Sequence, residues 1–339
     1  MVLPNSRMEL DAAWRALRSE ASGVGWKTIR ILSRNVCPVF AGREMPGNHE
    51  SMLVGFKGIA APAPDTLPQS AGFTVACPDI GEVGAGFIWI GLTRQPDGPL
   101  DLFAAMADDV LGVTDLPNAG DDHQRYKLFI DRIVAWQEFM RRGASPVLTA
   151  EEEAGLVGEL EILKLLLKTS LSPASSVNAW QGPTKALHDF TLRSGAIEVK
   201  TTTAVTGFPA KISSLDQLDD AIASPLFIAA VRIPLVVDGN TLPEKVDAIR
   251  KILEPFPIAL SDFDSRLVGV GYLDIVRERY ARRFGPPTIT VMRVDAGFPR
   301  LTPSVVPAAI KKARYEMDLS MVNHSNVELA AAFSELGVE

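Results

Sequence analysis

Residues 188–203 read "HDFTLRSGAIEVKTTT", and this stretch decides the fold of the second part of the chain. The letters RSG are a turn signal between two short runs of strand-forming residues, which predicts a β-hairpin. In the second run Ile197 and Val199 alternate with Glu198 and Lys200. Successive side chains point to opposite faces of a strand, so the two charged residues share one face. That face either meets water or forms a site.

Two acids of this hairpin are candidate metal ligands. Asp189 and Glu198 lie nine residues apart, on either side of the turn, so a hairpin would bring their carboxylates to one end. Paired carboxylates are hard oxygen ligands of the kind that suits Mg²⁺. Lys200 would project from the same face as Glu198, beside an attacking water and a phosphate. The alternative is an exposed strand face, because charges on strand faces are mostly solvated.

The stretch "LTAEEEAGLVGELEILKLLLKTS", residues 148–170, predicts a helix. Thr149 and Glu152 fit a capping box, and three acids in the first turn match the positive end of the helix dipole. The expected buried stripe consists of leucines at helical spacing, namely Leu156, Leu160, Leu163 and Leu167, with Leu166 at its edge.

Glu159 falls within that leucine stripe on the helical wheel, whereas Glu161 falls on the opposite flank, which is expected to be solvated. A charge on a buried face is costly unless it has a partner or a metal. Glu159 is therefore a candidate site residue. The alternative is an acid at the helix edge that reaches water or pairs with an arginine.

Length and composition predict an ordinary globular protein with two domains. The chain has 339 residues, of which 47% are hydrophobic and 22% charged, and single cores stop growing at about 250–300 residues. Gly, Ser and Pro at 143–146 predict a boundary there, between an α+β module (1–146) and a second domain (147–339). No apolar run approaches the roughly 20 residues of a membrane span, so we expect a cytoplasmic location. The two cysteines support neither a disulfide framework nor a thiolate zinc site.

The charge distribution points to a basic segment in an acidic protein. The net charge of −7 argues weakly against a nucleic-acid partner, because phosphate binding normally leaves a basic footprint. Residues 266–314, however, contain ten Lys and Arg against three acids. Arg279, Arg282 and Arg283, in "RERYARRF", are candidate phosphate contacts. The alternative is a solvated or structurally paired run.

The remaining patterns of the second domain predict a loop and four regular elements. These are a loop at 170–184, a helix around "SSLDQLDDAI" (213–222), a strand "PLFIAAVRIPLVV" (225–237), a helix "PEKVDAIRKILE" (243–254) and a strand "PTITVMRV" (287–294). The rest of the C-terminal segment has no clear periodicity.

Taken in order, these motifs resemble the PD-(D/E)XK nuclease superfamily. The order is an acid inside a leucine stripe, then "D-F" at a strand start, then "E-V-K" on the next strand. More narrowly, "GLVGELEIL", "W-x-GP", "HDF", "IEVK" and "LDQL" are similar to an uncharacterised bacterial branch, the domain of unknown function 4420 (DUF4420). The resemblance extends to "GREMPGNHE" in the first domain. One departure is His188, which stands where the superfamily name has Pro.

The resemblance implies an α/β (α+β) fold: a restriction-endonuclease-like core with a mixed central sheet flanked by helices, preceded by a smaller α+β domain. It implies that Asp189 and Glu198 hold Mg²⁺, or Mn²⁺ in its place, and that Glu159 binds it through water or holds a second ion. Lys200 would orient the attacking water. Gln217 resembles a helical glutamine that some branches place near the substrate; the alternative is an exposed helix residue. His188 is expected to be structural rather than a phosphate contact.

The function implied is a Mg²⁺-dependent DNA endonuclease that acts in restriction or phage defence, beside an ATPase or helicase. The alternative is a non-catalytic nucleic-acid-binding or scaffold subunit built on the nuclease fold. A binding module has no need to keep Asp189, Glu198 and Lys200 together, which counts against that alternative. A small-molecule phosphoesterase ranks last, because the sequence has no Gly-rich phosphate cradle or His-rich metal motif.

Overall fold

The computed structural model describes residues 6–18, 25–31, 36–81, 85–115, 120–141, 147–184, 186–323 and 326–338. The chain divides into two compact units, Met1–Ala144 and Ser145–Glu339, here called the N-terminal and C-terminal units. The expected boundary at 143–146 lies outside the described residues. In the part of the chain that the structure describes, none of the helices has both the length and the apolar composition that a membrane span requires.

The N-terminal unit is a six-stranded antiparallel sheet with helices. Its elements are α1 (Ser6–Ala16), β1 (Gly25–Ile31), β2 (Val39–Met45), β3 (His49–Phe56), β4 (Gln69–Ser70), β5 (Phe73–Ala76), β6 (Ile88–Arg94), α2 (Leu100–Thr114) and α3 (Asp122–Arg141). The strand order is β1-β2-β3-β6-β5-β4. These elements form an α+β unit, as the sequence predicts.

The motif "GREMPGNHE" has a structural role in this unit. It supplies Arg43 and Glu50, whose buried side chains form an ion pair of 2.9 Å. Arg94 donates a second bond of 2.7 Å to Glu50. Burial alone would raise the pKa of Glu50, but the two arginines and hydrogen bonds lower it. The acid is thus ionised and satisfied, and the motif stabilises the fold.

The C-terminal unit has a five-stranded mixed sheet at its centre. Its elements are α4 (Ala150–Leu166), α5 (Pro173–Ala179), β7 (Phe190–Leu192), β8 (Gly195–Thr202), β9 (Pro209–Ile212), β10 (Leu226–Arg232), β11 (Leu235–Asn240), α6 (Leu242–Leu253), α7 (Pro257–Val270), β12 (Thr288–Val294), β13 (Tyr315–Asp318), β14 (Asn326–Val327) and α8 (Leu329–Glu335). The strand order is β14-β12-β10-β8-β7, and β9 pairs with β13 separately. Strands β8 and β10 are parallel, and the other pairs are antiparallel. The predicted fold class is confirmed.

The predicted hairpin and the predicted helix both form. Strands β7 and β8 pair antiparallel around a two-residue turn, with Phe190 opposite Ile197. The capping box of Thr149 and Glu152 starts α4, and the helix packs on β8. A Cβ atom built on Gly158 would lie only 1.9 Å from Thr201 Oγ1, so a glycine is needed for this close approach.

In two segments the structure differs from the sequence prediction because of local backbone chemistry. The expected single strand at 225–237 is split into β10 and β11, with Pro234 between them, since proline cannot donate to a strand ladder. The expected loop at 170–184 contains α5, which begins with Ser172 as N-cap and Pro173 at its first position. Both residues are favoured at these positions.

The helix expected at 213–222 is wrong, since this segment is a series of turns. Ser and Asp side chains compete for local main-chain groups and disfavour a helix interior. Here Asp219 accepts a hydrogen bond from the N–H of Ala221 at 3.1 Å. Gln217 accepts one from the N–H of Ser213 at 2.8 Å.

The expectation that Glu161 is solvated is also wrong. Its carboxylate forms an ion pair of 2.6 Å with Lys245 of α6, and the side chains are 13% and 12% exposed. Helix α6 covers this flank of α4, and a helical wheel of α4 alone cannot predict such a tertiary contact.

Candidate active site

Three carboxylates come together from three elements of the C-terminal unit. Glu159 belongs to α4, Asp189 immediately precedes β7, and Glu198 lies within β8. Glu159 Oε2 accepts a hydrogen bond from Trp180 Nε1 at 2.6 Å. Asp189 Oδ2 accepts one from the main-chain N–H of Val199 at 2.7 Å. The hairpin therefore fixes Asp189 next to the strand residues that flank Glu198.

The loop with the motif W-x-GP holds two of these carboxylates. The N–H groups of Gln181 and Gly182 donate to the main-chain oxygen of Asp189, at 2.7 and 3.0 Å. A Cβ atom built on Gly182 would lie 2.5 Å from Glu159 Oε2 and 3.2 Å from Asp189 Oδ1. Both carboxylates thus pack against the same glycine. Trp180 supplies the donor for Glu159, a role that the sequence did not assign to it.

Lys200 and Gln217 meet at one oxygen of Glu198. Lys200 Nζ lies 2.7 Å from Glu198 Oε1, and Gln217 Nε2 donates to the same oxygen at 2.7 Å. Glu198 is 2% exposed, and its Oε2 is buried without a hydrogen-bond partner. Glu198 therefore does not meet water, and the solvated alternative for "EVK" is wrong at this residue. A buried carboxylate oxygen without a partner is costly, so a proton or a cation is needed there.

Gln217 is a positioning residue by its contacts. Its side-chain oxygen accepts from Ser213, its amide donates to Glu198, and it is buried in the turn segment. Its main-chain oxygen lies 3.0 Å from His188 Nε2, so that nitrogen carries the hydrogen. Burial lowers the pKa of His188. These contacts agree with a structural role for His188, and they orient the Gln217 side chain toward Glu198.

Burial raises the pKa values of all three carboxyl groups, and repulsion from Asp189 adds to this for Glu159 and Glu198. The pKa of Glu198 rises from 4.5 to about 8, through burial first and then repulsion from Asp189, while Lys200 acts in the opposite direction. The pKa of Glu159 lies well above its usual range, through burial and then repulsion from Asp189. The pKa of Asp189 is also raised by burial, although the Val199 N–H and Lys200 oppose this. Such perturbed acids cluster at functional sites.

The donor chemistry fits a divalent cation held by two carboxylates. Carboxylate oxygens are the ligands that Mg²⁺ prefers, and the unpartnered oxygen of Glu198 beside Asp189 would gain a partner. Among the described residues, however, no three His, Cys, Asp or Glu side chains are grouped so that they could hold a metal ion. Asp189 and Glu198 are thus the candidate direct ligands, while Glu159 stays hydrogen-bonded to Trp180.

Lys200 lies at the wall of a solvent-accessible cavity of about 690 Å³. The first turns of α4, the end of β8 and strand β9 line this cavity. The Lys200 side chain is 13% exposed. A substrate in this cavity would therefore reach Lys200 from solvent.

The three arginines of "RERYARRF" have different surroundings. Arg282 forms an ion pair with Glu153, a fully buried acid of α4. Arg283 donates to the main-chain oxygen of Gly239 at 2.9 Å. Arg279 is exposed and forms no hydrogen bond or ion pair within the described part of the chain. The contacts of Arg282 and Arg283 agree with the structurally paired alternative, and phosphate contact remains a prediction.

The family model described as "Putative PD-(D/E)XK family member, (DUF4420)" matches residues 10–320. The chain belongs to this family. The match spans both units, so the DUF4420 family includes the N-terminal sheet as well as the nuclease-like core. Neither a curated protein nor a solved structure matches the chain.

Proposed function

We propose that this DUF4420 protein is a Mg²⁺-dependent DNA endonuclease that hydrolyses phosphodiester bonds. The observation that carries the proposal is the state of Glu198. One of its oxygens is held by Lys200 and Gln217, and the other is buried without a partner. Glu153, which pairs with Arg282, also has one buried oxygen without a partner. Unlike Glu153, however, Glu198 is repelled by a neighbouring carboxylate, that of Asp189. A carboxylate left in this way, beside Asp189, is suited to bind a cation.

Asp189 and Glu198 would hold Mg²⁺ or Mn²⁺. The bound ion would supply Lewis-acid chemistry, polarising the phosphate and making water a better nucleophile at neutral pH. Glu159 would act on the same centre through a water or a second ion. The Trp180 hydrogen bond fixes its carboxylate in orientation.

Lys200 would orient the attacking water and balance the charge that develops on the phosphate. Its ammonium is held by Glu198 at 2.7 Å and borders the cavity, so it is positioned before substrate arrives. Preorganised charges of this kind contribute strongly to catalysis, because they need no rearrangement during the reaction.

A non-catalytic nucleic-acid-binding or scaffold role is the second candidate. The observation that favours it is that the described residues contain no ready-made group of three metal ligands. Metal binding separates the two candidates, since a scaffold subunit does not need a saturable site at Asp189.

The test is a calorimetric titration with Mg²⁺ and Mn²⁺ beside a plasmid cleavage assay. The parent should bind metal saturably and cleave, whereas Asp189→Asn should lose both properties. Asp238→Asn is the matched control, because Asp238 is an exposed aspartate of the same unit and should behave as the parent. A parent that neither binds metal nor cleaves DNA would refute the nuclease and leave the scaffold.

We propose restriction or phage defence as the biological role, in the cytoplasm and beside an ATPase or helicase. This context comes from family resemblance. Cells that express the protein should resist infection better than cells that express Asp189→Asn, as measured by the efficiency of phage plating. Equal plating on the two strains would contradict a defence role.

A further inference from the structure

The basic segment 266–314 contains two kinds of cation. Six of its ten Lys and Arg side chains form hydrogen bonds or ion pairs within the protein. These contacts are Arg266 with Trp180, Arg277 with Asp247, Arg282 with Glu153, Arg283 with Gly239, Arg293 with Glu335 and Arg300 with Leu218. The other four are exposed and have no partner within the described residues: Arg279, Lys311, Lys312 and Arg314. A cation that already holds a protein acceptor has fewer donors left for a phosphate, so the most available positive charge is concentrated in fewer residues than the sequence indicates.

Three of these four cations belong to one anchored loop. The connection between β12 and β13, residues 295–314, has no helix or strand. Arg300 ties it to the 213–222 turns by donating to the main-chain oxygen of Leu218 at 2.7 Å and to Asp220 at 2.8 Å. The N–H of Leu301 donates to the Tyr315 hydroxyl at 3.2 Å. Long loops that are held in this way inside a compact unit commonly serve a function.

A groove of about 790 Å³ separates the two segments. Residues 213–216 form one wall, and residues 310–314 contribute to the other. The charged residues that line it are Lys311, Lys312 and Arg314 against a single acid, Asp216. The groove is therefore net positive in a protein whose net charge is −7.

The groove also adjoins the candidate active site. Ser213, on the groove wall, donates through its N–H and its hydroxyl to the Gln217 side chain, at 2.8 and 3.2 Å. Gln217 in turn donates to Glu198. One wall of the groove is thus the same turn that holds the carboxylate of β8.

We propose that this groove, with Lys311, Lys312 and Arg314, binds the phosphodiester backbone of the DNA next to the bond to be cut. The proposal rests on the proposed endonuclease function and names its substrate-binding surface. Flexible lysines and an exposed arginine neutralise phosphates without reading bases. Binding should therefore depend on salt and be nearly independent of sequence.

The experiment measures the affinity for a fluorescently labelled DNA duplex by anisotropy, over a range of salt concentrations and without divalent metal, so that no cleavage occurs. The test variant is Lys311→Ala/Lys312→Ala/Arg314→Ala. The control variant is Lys168→Ala/Arg193→Ala/Lys251→Ala, which removes the same charge from exposed positions outside the groove. A third variant, Lys311→Arg/Lys312→Arg/Arg314→Lys, keeps the charge.

We expect the test variant to flatten the slope of log affinity against log salt by about 2.7, since each lost phosphate contact contributes about 0.9. The control variant and the charge-preserving variant should keep the slope of the parent. Equal slopes in the test and control variants would overturn the proposal, as would a parent that does not bind the duplex. A test variant that loses affinity for an RNA duplex but not for DNA would overturn the choice of DNA.

Cleavage distinguishes the groove from the nuclease function. If the parent binds DNA through these residues but never cuts it with Mg²⁺ or Mn²⁺, the endonuclease proposal fails and the groove stands as a binding surface. If the parent cuts DNA and the test variant binds and cuts equally well, the groove proposal fails and the endonuclease stands.

Discussion

Metal binding at Asp189 and Glu198 should release protons, and this follows directly from burial. The pKa of Glu198 is raised to about 8 in the metal-free site. A carboxylate must be ionised to bind a metal, so the ion has to displace the proton that Glu198 carries at neutral pH. The experiment therefore compares metal titrations at different pH values.

The magnitude can be worked from that pKa. At pH 7, about one unit below it, roughly nine-tenths of the Glu198 side chains are protonated, so each bound ion should release about 0.9 proton from this group. Release should fall to about one half at pH 8. Apparent metal affinity should weaken about tenfold for each pH unit below that range.

The assay is calorimetry of Mn²⁺ binding in pairs of buffers with different ionisation enthalpies, at pH 7 and pH 9. The dependence of the heat on the buffer gives the number of protons released. Glu198→Gln should show neither tight binding nor proton release, whereas Asp238→Asn should match the parent. Tight binding at pH 7 without proton release, or equal affinity at pH 7 and pH 9, would refute the reasoning about Glu198.

The remaining predictions concern stability and the separate parts of the site. Without metal, the free energy of unfolding should fall as pH rises from 4.5 to about 8, because folded Glu198 keeps its proton through that window and the unfolded chain does not; urea titrations should show a smaller fall for Glu198→Gln. Lys200→Ala should keep metal binding at pH 9 but slow cleavage by roughly 10²–10⁴-fold, and cleavage at the parent rate would remove this lysine from the mechanism. Glu159→Gln should slow cleavage, whereas Glu254→Gln, at an exposed position of the same unit outside the cavity that Lys200 borders, should not; equal rates would place Glu159 outside the site. Gly182→Ala should lower the free energy of unfolding by about 1–3 kcal/mol through overpacking and should reduce the cleavage rate by a larger proportion. An unchanged cleavage rate would show that the carboxylates move freely.

Local sequence patterns predicted the parts of this site that depend on neighbouring residues. The alternation around Glu198 and the turn before it were sufficient to predict the hairpin, because strand period and turn chemistry are local properties. The capping box fixed the start of α4, and the leucine spacing placed Glu159 on its inward side. Asp189, Glu198 and Glu159 were therefore named from the sequence, and the structure brings them together.

Contacts between distant segments could not be read in the same way. The burial of Glu161 depends on Lys245, which α6 brings from 84 positions away. Gln217 was expected on a helix, but the serines and aspartates around it bind their own main chain and leave turns. Its bond to Glu198 follows from the packing of those turns. A count of charges in the sequence likewise cannot predict that Arg282 pairs with the buried Glu153.

The two glycines next to the carboxylates have different consequences for the evolution of the family. Gly158 faces the Thr201 side chain, so it is required wherever α4 rests on β8, whether or not the protein is an enzyme. The three atoms nearest to a Cβ on Gly182 all belong to the carboxylates of Glu159 and Asp189, so the need for this glycine comes chiefly from those acids. A lineage that abandons catalysis should keep the first glycine and lose the second. The fate of Gly182 across relatives therefore separates working enzymes from descendants that retain only the shape.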